Sequence, residues 1–209
     1  FCYLAMDRLL ALDSRVDVAV NVKHVWLGAI RRKSYFESLN PNYPSYHKRD
    51  TERLAEYLGL PYARPEPYLL VFDKQTMELL PLAAQPHIGW LPRVAQLAVE
   101  AGSGMTFLDP VTRLIWGGTV ENWHEGEHLL HPVSGTGLEF NDLRAQADVE
   151  AERLDAIIDA NNSMFGAAGH WGVPCMVFEE EPFFGQDRMD RLNWRPRQAQ
   201  KRKPITPAF

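Results

Sequence analysis

The apolar positions change period several times along the chain, and each change predicts an element. From Tyr3 to Leu12, Leu4, Leu9, Leu10 and Leu12 recur at helical spacing while Asp7 and Arg8 fall outside the apolar face, which predicts a first helix. Asp13-Ser14-Arg15 reads as a turn. The valine-rich run Val16 to Leu27, carrying Trp26 and stopped by Gly28, reads as a strand. A short basic cluster, Arg31 to Lys33, precedes Asn40-Pro41-Asn42-Tyr43-Pro44, a loop by its turn chemistry. Asp50 to Leu58 reads as a helix stopped by Gly59 and Pro61.

A proline-punctuated connector, Tyr62 to Pro67, leads into a long helical stretch. Helices are predicted over Leu91–Glu100, Val111–Trp116 and Leu143–Asp159, with Pro132 to Gly137 as a loop between them. Strand character returns at Val173–Phe178 and Pro182–Phe184, on either side of an acidic turn, and Asp187-Arg188 opens a helix. Connections inside an α/β domain are short, so a long helical block between its halves implies an inserted subdomain. The expected organisation is an α/β domain made of residues 1–65 and 166–209, interrupted by a helical insertion over 66–165. Arg195 to Lys203, basic around Pro196, reads as a solvated, frayed tail.

Composition narrows the function classes. With 209 residues, 45% of them hydrophobic and 11% aromatic, the chain can bury a real core. A net charge of −5 provides no general attraction to nucleic acid or to an anionic membrane. No apolar run approaches the roughly 20 residues that cross a bilayer, so the chain is read as soluble. Two cysteines argue against a disulfide scaffold and fit a reducing, cytoplasmic setting. The chain enters a helical pattern directly at Phe1, which implies an upstream segment outside this sequence. A homodimer stays open.

The stretch Gly172-Val173-Pro174-Cys175 poses a problem, because proline removes a backbone donor from a strand. Either Pro174 stands at an edge or first position, or Val173-Pro174 is a cis bond that turns the Val173 backbone outward for an extended ligand. The wider arrangement favours the second. The chain resembles the thioredoxin superfamily, in the branch that holds DsbA-type oxidoreductases, kappa-class glutathione transferases and 2-hydroxychromene-2-carboxylate isomerases. Phe1-Cys2-Tyr3-Leu4-Ala5 is similar to the end of that branch's active-site motif. Trp26-Leu27-Gly28-Ala29-Ile30 matches its second strand and turn, and Gly172-Val173-Pro174 with Phe184-Gly185-Gln186-Asp187-Arg188 matches its cis-proline strand and closing signature.

That resemblance implies a thioredoxin-like α/β fold and glutathione-dependent isomerase or transferase chemistry on an aromatic small molecule, with glutathione as cofactor. It places the nucleophile two positions before Phe1, outside this sequence, and Cys2 in the motif's second small-residue position. Val173 would pair through its backbone with the cysteinyl part of glutathione, beside Pro174. Gln186 and Asp187 would hold the γ-glutamyl end, Asp187 by accepting from the ammonium, and Asn40 would match a contact from the loop after the second strand. The alternatives implied are a dithiol oxidoreductase or a binding module without chemistry.

Residue chemistry is compatible with these roles but leaves alternatives open. A helix N-terminus near Cys2 would lower a thiolate's pKa, whether that thiolate is Cys2, an upstream cysteine or bound glutathione. Cys2 otherwise reads as a redox partner, a modulator or a buried small hydrophobe. Asp187 also reads as a helix cap. Cys175 stands where the branch carries threonine, and a Cys2–Cys175 bridge is the less favoured reading, because geometry forbids most pairs. Trp171 is the aromatic chosen to line a substrate pocket, while Trp90, Trp116 and Trp123 are read mainly as packing. His124-Glu125-Gly126-Glu127-His128, with His131, fits the zinc pattern H-E-x-x-H. Gly126 inside and Pro132 after it argue against the required helix, so no metal is expected.

Overall fold

The structure is a computed structural model that describes residues 1–15, 18–32 and 34–202. Val16, Lys33 and Lys203, which bound three of the predicted features, lie outside the described residues. The contacts group the chain into two compact units, one of residues 1–20 with the chain from Phe165 onward, the other Asn21–Met164.

The first unit is a helix, a hairpin and a closing helix. Helix α1 spans Cys2–Arg15, so the predicted turn at Asp13-Ser14-Arg15 is helical instead. Strands β1 (Cys175–Phe178) and β2 (Glu181–Phe184) pair antiparallel, Cys175 opposite Phe184 and Phe178 opposite Glu181. A 3-10 turn, Gln186–Arg188, then feeds α9 (Met189–Arg202). The two residues between the strands, Glu179 and Glu180, both have positive φ, 47° and 69°. A two-residue hairpin loop needs that backbone to match the strands' twist, and here two glutamates adopt it in place of Asn-Gly.

Alternation decides what the hairpin buries. Met176, Phe178 and Phe183 pack with Leu9, Leu12, Met189 and Leu192, while Val177 and Phe184 on the opposite face stay exposed. The basic stretch from Arg195 is not a frayed tail. It is the second half of α9, Pro196 is fully buried, and Arg195 forms an ion pair with Glu181 of β2. The buried Pro196 and this ion pair distinguish it from a solvated tail.

The second unit is helical: α2 (Gly28–Arg31), α3 (Tyr43–Leu58), α4 (Leu91–Glu100), α5 (Gly104–Trp116), α6 (Leu130–Ser134), α7 (Phe140–Val149) and the greater part of α8 (Ala151–Ala167). Val94, Leu97 and Ala98 of α4 meet Phe107, Val111 and Ile115 of α5 around Trp123, Val133, Ala147 and Leu154. A second cluster joins Trp26, Ile88 and Ile158. Helix α4 has the predicted bounds. Helix α3 begins seven residues before the predicted Asp50, since Pro44 in its first turn is a helix-compatible proline rather than a breaker. Likewise α5 reaches back to Gly104, and α6 occupies part of the predicted Pro132–Gly137 loop.

Two departures concern long segments. The predicted helix Leu143–Asp159 is two helices that break at Glu150, although Leu143, Ala147, Leu154 and Ile158 are all buried at spacings one straight helix would also satisfy. The Glu150 carboxylate takes Gln146 Nε2 at 2.7 Å and Arg153 Nε at 2.6 Å. Residues 18–27 form no strand, although exposure alternates from Val18 to Lys23 as in an extended chain. A strand is defined by a hydrogen-bonded neighbour, and this segment has no ladder partner among the described residues. No described helix is long and apolar enough to cross a membrane.

Candidate functional site

The residues predicted from sequence divide between the two units. Cys2, Trp171, Val173, Pro174, Gln186 and Asp187 belong to the first. Asn40 belongs to the second, where it is exposed and its Oδ1 accepts the Asn42 N–H at 2.9 Å, closing the turn ahead of α3.

Within the first unit, α1 is tied to the Gln186–Arg188 turn by Arg8. Arg8 Nη1 donates to the Gln186 backbone carbonyl at 2.9 Å, and Nη2 donates to Gln186 Oε1 at 2.8 Å and to the Leu4 carbonyl at 3.3 Å. A guanidinium has donors only, so the amide oxygen of Gln186 faces it and the NH2 group points elsewhere. No acceptor meets that Nε2 among the described residues. Arg8 is half-buried rather than outside the apolar face. Leu4, Arg8 and Leu12 stand four residues apart in one row of α1, and both leucines are buried. That spacing was the available signal for Arg8, and composition-based reading of charge as exposure missed it.

Backbone geometry brings Pro174 and the Gln186 turn together. The Val173–Pro174 bond is cis, as is Glu66–Pro67 in the second unit. Pro174 is buried immediately before β1, and its carbonyl accepts the Gly185 N–H at 2.9 Å. Val173 N–H and C=O have no partner among the described residues. Gly185 has φ 88° and ψ 158°, a conformation essentially reserved for glycine. A Cβ there would lie 2.6 Å from Asp187 Oδ1, so the absent side chain also lets the carboxylate approach the turn. Asp187 is exposed and pairs with Arg188, and no side chain caps this turn, which sets aside the reading of Asp187 as a helix cap.

Next to this turn lies an aromatic stack that the sequence reading recognised only in part. His170 is sandwiched between Trp171, with centroids 4.6 Å apart and planes at 6°, and Phe184, at 4.1 Å and 21°. Trp171, at one end of the stack, is 62% exposed. The Gly172 N–H donates to His170 Nδ1 at 3.0 Å, which requires a lone pair on Nδ1 and puts the neutral ring's proton on Nε2. A Cβ on Gly172 would stand 2.4 Å from the Phe184 ring, so glycine is what admits Phe184 to the stack.

The cysteines are both free thiols. Cys2 begins α1, yet dense packing around it raises its thiol pKa by desolvation, contrary to the lowering expected from a helix N-terminus. Cys175 lies on the outer face of the hairpin opposite Phe184. Burial raises its pKa, and a hydrogen bond with the Phe183 backbone opposes that rise.

His124 to His128 lies in turns, with Gly126 at φ 58°, so the two histidines do not share a helix face. His124 instead packs edge-on against His87, with centroids 4.5 Å apart. A cleft of about 610 Å³ in the second unit is lined by Trp26, Arg31, Asp155, Asp159 and Asn162 among others. Several of its polar groups are committed to the fold. Arg93 makes two 2.6 Å bonds to Asp155, the Trp26 indole donates to Asp159 at 2.8 Å, and Arg31 Nε donates to the Trp26 carbonyl at 2.7 Å. The first-unit surface brings together an amide donor with no acceptor among the described residues, an exposed carboxylate and a partly exposed aromatic stack, and is the candidate site for ligand recognition.

Comparison with solved structures supports the fold assignment. The chain is similar to a 2-hydroxychromene-2-carboxylate isomerase, with a TM-score of 0.66 and 16% identity over 99% of this chain and 94% of that one. It is similar to a probable DsbA oxidoreductase of Streptomyces coelicolor, with a TM-score of 0.65 and 16% identity over 100% of this chain and 88% of that one. Comparison with curated proteins finds no match. The family model described as "DSBA-like thioredoxin domain" matches residues 1–195, so the helices and hairpin described above are those of a thioredoxin-like fold, and the chain belongs to the DSBA-like thioredoxin domain family.

Proposed function

We propose that this protein is a glutathione-dependent isomerase or transferase acting on an aromatic small molecule, in a reducing cytoplasmic setting. The observation that carries the reading is the side-by-side pair Gln186 and Asp187. One offers an amide N–H that can only donate, because Arg8 occupies its oxygen, and the other an exposed carboxylate that can only accept. The amino-acid end of glutathione carries the matching groups, a carboxylate and an ammonium. Arg188 competes for Asp187 through one carboxylate oxygen and leaves Oδ1 for the ammonium.

Glutathione, when bound, supplies the thiolate for addition to an electron-poor double bond. The chain's own residues hold and orient. Gln186 and Asp187 fix the γ-glutamyl end, the Val173 backbone pairs with the cysteinyl unit, and the exposed Trp171 face of the stack receives the flat acceptor. The high pKa of the Cys2 thiol suits a neighbour of this chemistry better than an attacking nucleophile.

Thermal unfolding with glutathione tests this. A ligand of the folded state at a hundred times its Kd stabilises by about 2.7 kcal/mol, a rise of several degrees in Tm. No rise at millimolar glutathione would refute the reading. Two free thiols favour a second reading, thiol-disulfide exchange. Reduction of insulin in the presence of dithiothreitol, abolished by Cys2→Ser, would select it.

A further inference from the structure

We propose that Arg8 is a positioning residue that sets which atom of Gln186 meets the ligand, and so makes the site discriminate for a carboxylate at that point. The inference rests on the glutathione reading above and concerns a residue of α1 that the ligand need not touch.

Left to itself, a glutamine side chain presents either its oxygen or its nitrogen, because the two ends of the amide are nearly the same in shape. An ammonium would select the oxygen and a carboxylate the nitrogen. Arg8 removes the choice. Its Nη2 holds Oε1 at 2.8 Å while Nη1 holds the backbone carbonyl of the same residue at 2.9 Å, so main chain and side chain are gripped by one rigid, planar group. The Leu4 carbonyl, at 3.3 Å from Nη2, anchors that group from behind. The oxygen end is then engaged by Arg8 and the NH2 end is left to donate, on the residue next to Asp187. The ligand's negative and positive groups are thereby sorted, carboxylate to Gln186 and ammonium to Asp187.

A second observation concerns the cost of placing an arginine here. Arg8 Nε is buried and has no partner among the described residues. A buried donor without a partner destabilises the fold. Arg8 also interrupts the row between buried Leu4 and Leu12, where an apolar side chain would pack without that orphan. An apolar residue there would remove the orphan but also the donors to the Gln186 carbonyl and Oε1. The guanidinium thus carries one nitrogen unpartnered among the described residues while both others hold Gln186, which fits a role at the ligand end of that residue.

The test uses the full chain and two probes, reduced glutathione and 4-aminobutanoyl-cysteinylglycine, the same peptide without the γ-glutamyl carboxylate. Each is titrated calorimetrically into wild type, Arg8→Met, Arg8→Lys and Gln186→Ala. Wild type is expected to bind glutathione about tenfold more tightly than the analogue, the effect of one hydrogen bond to a charged group. Arg8→Met and Gln186→Ala should bring that ratio close to one by weakening glutathione binding and leaving the analogue's Kd unchanged. Arg8→Met should melt within about 4 °C of wild type.

Arg8→Lys, whose single ammonium cannot reproduce the fork, should retain part of the preference, and it carries the test if Arg8→Met fails to fold. An unchanged ratio in the Arg8 variants, equal loss for both probes, or equal wild-type affinities would overturn the role of Arg8 and leave the glutathione reading standing. Wild type binding neither probe would overturn the glutathione reading, and with it the role of Arg8.

Discussion

His24 should dominate how this protein loses stability in mild acid. Its pKa is lowered from 6.5 to about 4 because burial disfavours the imidazolium, and a hydrogen bond with the Ala95 backbone only partly opposes this. Its Nε2 is buried without a partner among the described residues, so a second proton would arrive at a nitrogen with nothing to donate to. Between pH 6.5 and 4 the unfolded chain binds this proton and the folded chain does not. The unfolded state is therefore favoured as pH falls, and the contribution is complete above pH 6.5 and lost progressively down to about pH 4. At roughly 1.4 kcal/mol per pH unit, that interval corresponds to about 3 kcal/mol as an upper figure.

The perturbation is His24→Asn, whose side-chain amide can keep the bond to the Ala95 backbone and does not titrate. Urea unfolding followed by tryptophan fluorescence at half-unit steps from pH 7.5 to 4 measures both proteins. Carboxylates contribute to the acid limb of each, so the difference between the curves isolates His24. Wild type should lose about 3 kcal/mol relative to the variant on going from pH 7 to pH 4, most of it below pH 6. Parallel curves over the whole range would refute the reasoning, because they would mean that the folded and unfolded chains protonate His24 alike.

Two further variants probe the hairpin. Gly185→Ala places a Cβ 2.6 Å from Asp187 Oδ1 at φ 88°, and should cost about 1–3 kcal/mol in chemical denaturation while also weakening glutathione binding. The reverse is expected at the hairpin tip, where Glu179→Asn with Glu180→Gly supplies residues suited to φ 47° and 69°. That double variant should gain about 1–2 kcal/mol, read as a higher urea midpoint at unchanged slope, and no gain would show that the turn is not strained by its glutamates.

The elements legible in the sequence share a local cause. Helix α4 has the bounds its apolar spacing predicts, because Val94, Leu97 and Ala98 face one core and residues three and four apart share a face. The hairpin was readable because alternation and an acidic turn are properties of ten consecutive residues. Gln186 and Asp187 could be singled out from the resemblance before any coordinates. The stack at Trp171 was half legible: the tryptophan was chosen, but His170 owes its place to Phe184, fourteen residues on.

What the tertiary structure decided depends on groups far apart in the chain. Arg8 reads as a surface charge until Gln186, 178 residues later, is found to accept from its fork. The break at Glu150 is invisible because the buried positions on either side keep one helical period. The alternating run from Val18 has a strand's pattern without a strand's partner, and the basic stretch after Arg195 becomes a packed helix through Glu181 and the buried Pro196. Sequence by itself determined where the chain is amphipathic and at which period, since covalent geometry sets those spacings. Which amphipathic faces meet, which charges are drawn inward and which end of Gln186 is presented were decided by the fold, because those energies exist only once distant residues touch.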